Sequence, residues 1–157
     1  MLDDNELMAA ALEQARLAAT MDEVPVGCVI ARGGEIISAT HNRRMLDGDP
    51  VAHAEILAIR QAAERIGDWR LEGCTMAVTL EPCCMCAGAI VLSRIERLIY
   101  GADDPKAGAV KTLYEICSDP RLNHRAEVIS GVMSTECGEI LTKFFRTKRQ
   151  QHQQDRQ

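Results

Sequence analysis

At 157 residues the chain has the length of one domain, and 46% apolar with 26% charged residues is typical of a globular protein. It has no apolar run of 18 residues, so the sequence predicts no membrane-spanning helix. The net charge of −5 argues against a general nucleic-acid binder. Residues 142–157 differ, with five basic residues and one acidic residue, and form either a local phosphate contact or a solvated helix end.

The N-terminus and the cysteines indicate the compartment. The first residues are acidic and lack the basic start and apolar block of a secretion signal, which predicts a cytoplasmic protein. The seven cysteines are an odd number, and three of them lie between positions 83 and 86. This clustering favours metal binding in a reducing compartment over a disulfide framework.

Hydrophobic periodicity predicts alternating helices and strands. The first helix is amphipathic, and Gly33-Gly34 is typical of a hairpin turn between the first two strands. A polar loop at 41–50 separates this hairpin from the next helix. In chain order the sequence predicts a helix at 4–20, strands at 24–31 and 35–40, a helix at 52–66, a strand at 75–80, a helix from Pro82 to about 93, a strand at 95–100, a short helix at 108–117, a strand at 127–129 and a helix at 134–150.

This order predicts an α/β fold. Strands that alternate with helices favour a largely parallel sheet covered on both faces, and the opening hairpin makes the sheet mixed. The sequence has no internal repeat or linker, so we expect one domain over residues 1–150. Residues 151–157 are predicted to be a frayed tail.

Two short motifs carry the chemistry: His53–Glu55, with the sequence HAE, and Pro82–Cys86, with the sequence PCCMC. Both lie at predicted strand–loop–helix junctions, where α/β sheets usually place their sites. His53, Cys83 and Cys86 offer three zinc ligands, and a catalytic zinc site keeps its fourth position for water. The combination of H-x-E with P-C-x-x-C is the signature of zinc deaminases.

The spacing of the cysteines agrees with this interpretation. Cys83 and Cys86 are three residues apart, so they share one helix face, and a helix N-terminus stabilises thiolates. Glu55 is not needed as a ligand and is expected to move protons between the water and the substrate. Cys84 lies about 100° around the helix from Cys83, so it is predicted to be a packed thiol rather than a ligand.

One alternative is a closed structural zinc site. Its fourth ligand would be Cys28, Cys74 or His41, although the two cysteines lie in predicted strands, where core packing is commoner. The metal is inferred from ligand softness, and iron is the possible substitute.

The chain resembles the bacterial tRNA-specific adenosine deaminases, a family of the cytidine deaminase-like superfamily. The resemblance covers nearly the whole chain, and the segments after Ser93 favour this family over other members of the superfamily. A histidine before Ala54-Glu55 also points away from classical free-cytidine deaminases. The matching segments include 23–27, 41–43, 49–50, 52–56, 80–83, 85–90, 93–95, 108–109, 123–124, 131–132, 136–137 and 144–145.

The resemblance implies a three-layer α/β/α fold with a mixed five-stranded sheet, a homodimer and one Zn²⁺ per subunit. It implies that His53, Cys83 and Cys86 hold the zinc and that Glu55 is the catalytic proton shuttle. The implied reaction is hydrolytic deamination of adenosine to inosine at the wobble position of tRNA by a zinc-activated water. The implied partner is the tRNA anticodon stem-loop, most simply that of an arginine tRNA with an ACG anticodon. The substrate-binding residues that the resemblance implies are Asn42, Val26, Ala54, Asp104, Lys106, Phe145 and Arg146.

Some of these residues have a simpler interpretation. Asn42 is also typical of a turn cap, and Asp104 with Lys106 is typical of a solvated turn. Adjacent phenylalanines on a helix cannot share one face, so at least one of Phe144 and Phe145 is expected in the core. Two rival functions remain: a deaminase of a free nucleobase or nucleoside such as guanine, and a non-catalytic RNA-binding protein with a structural zinc.

Overall fold

Five strands form one mixed sheet in the computed structural model, which describes residues 1–156. The strand order across the sheet is β2-β1-β3-β4-β5. The elements in chain order are α1 (Asp4–Thr20), β1 (Gly27–Arg32), β2 (Glu35–His41), α2 (Arg44–Asp47), α3 (Ala54–Ile66), β3 (Cys74–Leu80), α4 (Cys84–Leu92), β4 (Arg97–Ala102), a 3₁₀ turn (Ile116–Ser118), β5 (Glu127–Ile129) and α5 (Ser134–Asp155).

The sheet has an antiparallel half and a parallel half. Strand β1 pairs antiparallel with both β2 and β3, whereas β3, β4 and β5 run parallel to one another. The β1–β2 hairpin turns at Gly33 and Gly34, whose positive φ angles of 59° and 81° suit glycine. The predicted mixed sheet is confirmed, with its parallel part confined to three strands.

The sheet is covered on both faces, which gives three layers. Successive residues of the central strands alternate between the two faces, as a strand requires. Residues that pack toward α3 and α4 are Cys28, Ile30, Met76, Val78, Leu98 and Tyr100. Residues that pack toward α1 and α5 are Val29, Ala31, Ala77 and Ile99. The predicted α/β/α fold is therefore confirmed.

Helix α1 begins at a local capping signal. Asp3 accepts a hydrogen bond from the Glu6 N–H, and the Glu6 carboxylate accepts one from the Asp3 N–H, both at 2.8 Å. This reciprocal pair is a capping box, and it fixes the helix start at the predicted residue.

Three predicted segments differ from the structure. The polar loop at 41–50 contains the short helix α2. The predicted helix at 108–117 is wrong, because only Ile116–Ser118 is helical there, and as a 3₁₀ turn. Helix α5 continues to Asp155, so the tail predicted to fray is helical through that residue, while Gln157 lies outside the described residues.

No helix within residues 1–156 is long and apolar enough to cross a membrane.

Candidate active site

The topology brings four chain segments to one edge of the sheet. Strands β2, β3 and β4 end at this edge, and the antiparallel strand β1 begins there. Val26 precedes β1, Asn42 follows β2, Glu81 follows β3 and Asp104 follows β4. Helices α3 and α4 begin beside them, and their N-caps are His53 and Cys83.

The three predicted metal ligands come together. The Nδ1 atom of His53 lies 3.6 Å from the Cys83 Sγ atom and 3.5 Å from the Cys86 Sγ atom. Tetrahedral zinc with ordinary Zn–N and Zn–S bonds would separate such a nitrogen and sulfur by about 3.6 Å. The donor set therefore has the spacing and the softness that a zinc ion requires.

Electrostatics in this cluster favours a bound cation. Hydrogen bonds with Cys86 and His53 outweigh the opposing effect of burial and lower the pKa of the Cys83 thiol to about 3. These contacts favour the thiolate form of Cys83, which is the form that binds metals, whereas the hydrogen bond with Cys83 and burial raise the pKa of the Cys86 thiol. Beside it, Glu55 is 4% exposed, and burial raises the pKa of its carboxyl group.

The described residues do not form a closed site with four protein ligands. Among residues 1–156, the group of histidine, cysteine and acidic side chains with ligand atoms within 4.8 Å of one another is His53, Cys83 and Cys86. Cys28 and Cys74 are fully buried in the core beneath α3 and α4. His41 instead donates from Nδ1 to the Asn42 carbonyl oxygen at 2.9 Å.

The prediction that Cys84 is a packed thiol is wrong. Cys84 points away from the ligands, as expected, but it is exposed rather than packed. As the first residue of α4, it is turned by the helix rotation toward solvent instead of toward the sheet.

The cluster opens into a cleft of about 240 Å³. His53, Glu55 and Cys83 line the cleft. Two predicted metal ligands, His53 and Cys83, therefore face the same space as the predicted proton carrier Glu55. The other predicted residues that line it are Val26, Asn42, Ala54 and Asp104.

Lys106, Phe145 and Arg146 are exposed and do not line this cleft. Lys106 belongs to the turn beside it, because its N–H and that of Ala107 donate to the Asp104 carboxylate at 3.0 and 3.2 Å. Asp104 therefore both caps a turn and faces the cleft.

The two phenylalanines of α5 have different surroundings. Phe144 is half-buried and lines a groove of about 580 Å³ between α1 and α5, together with Leu12 and Ile140. Phe145 is 43% exposed. Of the two, Phe145 is the one that remains open to a partner.

Sequence reasoning assigned no role to two buried carboxylates at this edge. Glu23 is fully buried, and Glu81 is 2% exposed. Both lie inside segments of the family resemblance, directly before the sequences VPVG and PCC. An acidic residue next to such apolar segments is the available signal, since an acidic side chain is rarely buried without partners.

Glu81 organises the loop after β4. Its Oε1 atom accepts from the Asp104 N–H and the Thr112 hydroxyl. Its Oε2 atom accepts from the backbone N–H groups of Val110, Lys111 and Thr112 at 2.9 to 3.1 Å. Burial alone would raise the pKa of Glu81, but these hydrogen bonds outweigh it and lower the pKa to about 2.

Comparisons with known proteins agree with this geometry. The model of the MafB19-like deaminase family matches residues 2–149. A tRNA-specific adenosine deaminase of Bacillus subtilis is 49% identical over 149 residues, covering 95% of this chain and 92% of that protein. Another, from Agrobacterium fabrum, is 47% identical and covers 95% of this chain and 98% of that protein.

Solved structures give the same result. One structure from work on A-to-I editing by tRNA:A34 deaminases at the wobble position has a TM-score of 0.83 and 47% identity, over 86% of this chain and 98% of that one. A guanine deaminase of Bacillus subtilis is more distant, with a TM-score of 0.62 and 27% identity over 71% of this chain and 82% of that one. The chain thus has the fold, the ligand cluster and the near-full-length similarity of one enzyme family, and it belongs to the tRNA-specific adenosine deaminases.

Proposed function

We propose that this protein hydrolyses the adenosine at the wobble position of tRNA to inosine and ammonia. The observation that carries the proposal is the cleft in which His53, Cys83 and Glu55 face one another, in a chain 49% identical to a tRNA-specific adenosine deaminase. An arginine tRNA with an ACG anticodon is the proposed substrate.

The proposed cofactor is one Zn²⁺ per subunit, held by His53, Cys83 and Cys86. Bound there, zinc would supply a Lewis acid that lowers the pKa of a coordinated water to about 7. The half-buried thiolate of Cys83 and the imidazole of His53 keep this site specific for a soft cation.

Glu55 performs the proton transfers in the proposed mechanism. Its carboxylate accepts a proton from the attacking water and passes it to the ring nitrogen next to C6 of the adenine. It then carries the second proton of the water to the amino group, which leaves as ammonia while the C6–oxygen bond remains. The water is thus consumed in full, and no oxidant or reductant is needed.

The cleft recognises an extruded base in this proposal. Val26 and Ala54 supply apolar walls, and Asn42 supplies a buried amide for hydrogen bonding. A base in an anticodon loop is already partly unstacked, so its extrusion costs less than from a duplex. Asp104 and Lys106 on the adjacent turn, and Phe145 and Arg146 on α5, are the proposed contacts with the rest of the anticodon stem-loop.

We further propose that the protein works as a homodimer in the cytoplasm. The net charge and size suit a cytoplasmic enzyme, and the large exposed side chains Trp69 and Leu92 are candidates for burial between subunits. Sedimentation analysis would test the dimer directly: a single species of one subunit's mass would contradict it.

The decisive experiment measures inosine formation. Zinc-loaded protein is incubated with an arginine tRNA transcript bearing an ACG anticodon and, separately, with free adenosine, guanine and cytidine. The matched control is the same transcript with guanosine at the wobble position. Inosine at the wobble position alone supports the proposal, whereas turnover of a free base with no reaction on tRNA would make the protein a nucleobase or nucleoside deaminase.

A further inference from the structure

Glu23 is a charged side chain with no exposed surface that lies next to the cleft without lining it. The end of α1 fixes its position. Asp22 adopts a left-handed conformation with φ of 62°, and the Glu23 N–H donates back to the Ala18 carbonyl oxygen at 2.9 Å. This turn directs the chain from α1 into the sheet edge, so the Glu23 backbone is held by the helix end.

The two carboxylate oxygens of Glu23 have different partners. The Oε1 atom accepts from the backbone N–H of Leu46 at 2.6 Å, and this contact holds helix α2. The Oε2 atom accepts from the Nδ2 atom of Asn42 at 3.3 Å. Both partners are donors, so Glu23 acts here only as an acceptor.

The backbone of Asn42 is fixed independently. Its N–H donates to the Val26 carbonyl oxygen at 3.1 Å, and its carbonyl oxygen accepts from the His41 ring at 2.9 Å. The residue is 6% exposed. What remains free is the orientation of the side-chain amide, which can present either its oxygen or its nitrogen to a given neighbour.

We propose that Glu23 is a positioning residue that sets the orientation of the Asn42 amide in the cleft. The Glu23 carboxylate can only accept, so it pairs with the Nδ2 atom of Asn42 and not with its Oδ1 atom. The Oδ1 atom of Asn42 therefore stays available as an acceptor for a donor on the bound base. An adenine carries such a donor in its amino group. The inference rests on the proposed function, and it adds a specificity determinant outside the cleft.

The substitution Glu23→Gln separates positioning from simple anchoring. The Leu46 N–H still requires an acceptor, so the oxygen of the introduced amide stays with Leu46 and its nitrogen faces Asn42. Two nitrogen donors cannot pair, so the Asn42 amide must turn its oxygen toward position 23 and its nitrogen toward the substrate. The anchor of α2 is retained while the polarity of Asn42 in the cleft is reversed.

A charge-exchanged double variant provides the rescue. In Glu23→Gln combined with Asn42→Asp, the new carboxylate accepts from the amide at position 23 and presents its other oxygen to the cleft. The pair keeps its total charge, because one carboxylate and one amide have exchanged places.

The experiment measures kcat/KM on the tRNA transcript for the zinc-loaded wild type, both single variants and the double variant, with thermal unfolding of each. We expect each single variant to lose about 10- to 100-fold in kcat/KM. The kcat/KM of the double variant should exceed that of the less active single variant by about tenfold. Two outcomes would overturn the inference: wild-type kcat/KM for Glu23→Gln, or losses that simply multiply in the double variant, since a purely structural role gives no rescue. Inactivity of the wild type on tRNA is a separate result, which counts against the proposed function itself.

Discussion

At the scale of single residues, the clustering of His53, Cys83 and Cys86 was predictable from the sequence because each motif is local. Glu55 follows His53 by two positions, and the start of α4 fixes the directions of Cys83 and Cys86. The roles of Glu23 and Glu81 were not predictable in this way. Their partners lie up to 31 residues further along the chain, and only the fold brings them together.

Glu55 provides the first prediction at this scale. Glu55→Ala should lower the rate of inosine formation by at least about 10³-fold, because the other two carboxylates that line the cleft, Glu81 and Asp104, already accept hydrogen bonds from the loop after β4. Zinc content should stay at one ion per subunit, since Glu55 is outside the ligand group. The measurements are single-turnover kinetics and metal analysis.

The control is Glu64→Ala, which removes an exposed carboxylate from the same helix and should leave the rate unchanged. Normal turnover by Glu55→Ala would refute its role in proton transfer.

Glu81 provides the second prediction. An amide at this position turns a donor toward N–H groups that also donate, so Glu81→Gln leaves buried donors without acceptors. We expect a loss of about 3 kcal/mol in the free energy of unfolding. Urea denaturation of the zinc-loaded protein measures it, with the exposed residue in Glu72→Gln as the control. Equal stability of the two variants would show that the loop does not depend on the carboxylate.

At the scale of elements, the same carboxylate explains the wrong prediction of a helix at 108–117. In a helix, the N–H groups of residues 110–112 would bond to backbone carbonyls four residues earlier. Here they converge on one oxygen of Glu81, and the backbone takes a looped path around it. Gly108 permits this path, because a Cβ atom there would lie 2.4 Å from the Glu81 carboxylate. Local periodicity cannot register a competing acceptor from another strand.

The helix ends also show that local signals are predictable and long-range contacts are not. Helix α1 was predicted correctly because its capping box is local, whereas the end of α5 was placed too early. Phe144 and Lys148 of α5 face α1 across the groove, and Lys148 forms an ion pair with Asp22. Gln151 also lines this groove, so the contact with α1 reaches the segment in which polar composition alone suggests fraying.

The packing of α1 on β1 gives the third prediction. A Cβ atom on Gly27 would lie 1.9 Å from the Ala11 carbonyl oxygen, so Gly27→Ala must displace α1 from the sheet. We expect a loss of about 3 kcal/mol or more in the free energy of unfolding. The matched control is Gly138→Ala in α5, where an added Cβ atom meets nothing within 4 Å. Because alanine is the better helix former, this control should gain up to about 1 kcal/mol.

Thermal and urea unfolding measure the free energy of unfolding of both glycine variants. If Gly27→Ala were as stable as Gly138→Ala, α1 would not be held against β1 at this distance.

At the scale of the whole molecule, the sheet order determines what the cleft contains. The sequence predicted the helices, the strands and the mixed sheet, but not that β1 lies between β2 and β3. That order places Val26 and Asn42 beside the ends of β3 and β4, and so beside the ligands and Asp104. The family resemblance supplied these residues as candidates, and long-range strand pairing supplies the physical reason that they meet.

The distribution of charge over the whole molecule gives the last prediction. The net charge of −5 repels a polyanion, so we expect the proposed RNA binding to depend on local basic residues such as the exposed Arg146 of α5. Each phosphate contact with single-stranded RNA adds about −0.7 to the slope of log K against log salt concentration. Arg146→Ala should therefore weaken tRNA binding and make the slope shallower by about 0.7.

Arg65→Ala is the matched control, because it removes one positive charge from an arginine that pairs with Glu35 on the β1–β2 hairpin. This variant should shift affinity slightly through the changed net charge, with no change in slope. Binding is measured by fluorescence anisotropy on a labelled anticodon stem-loop over a range of salt concentrations. If both variants gave the wild-type slope, the positive end of α5 would be a solvated helix terminus, and the RNA contacts would have to come from the turn of Asp104 and Lys106.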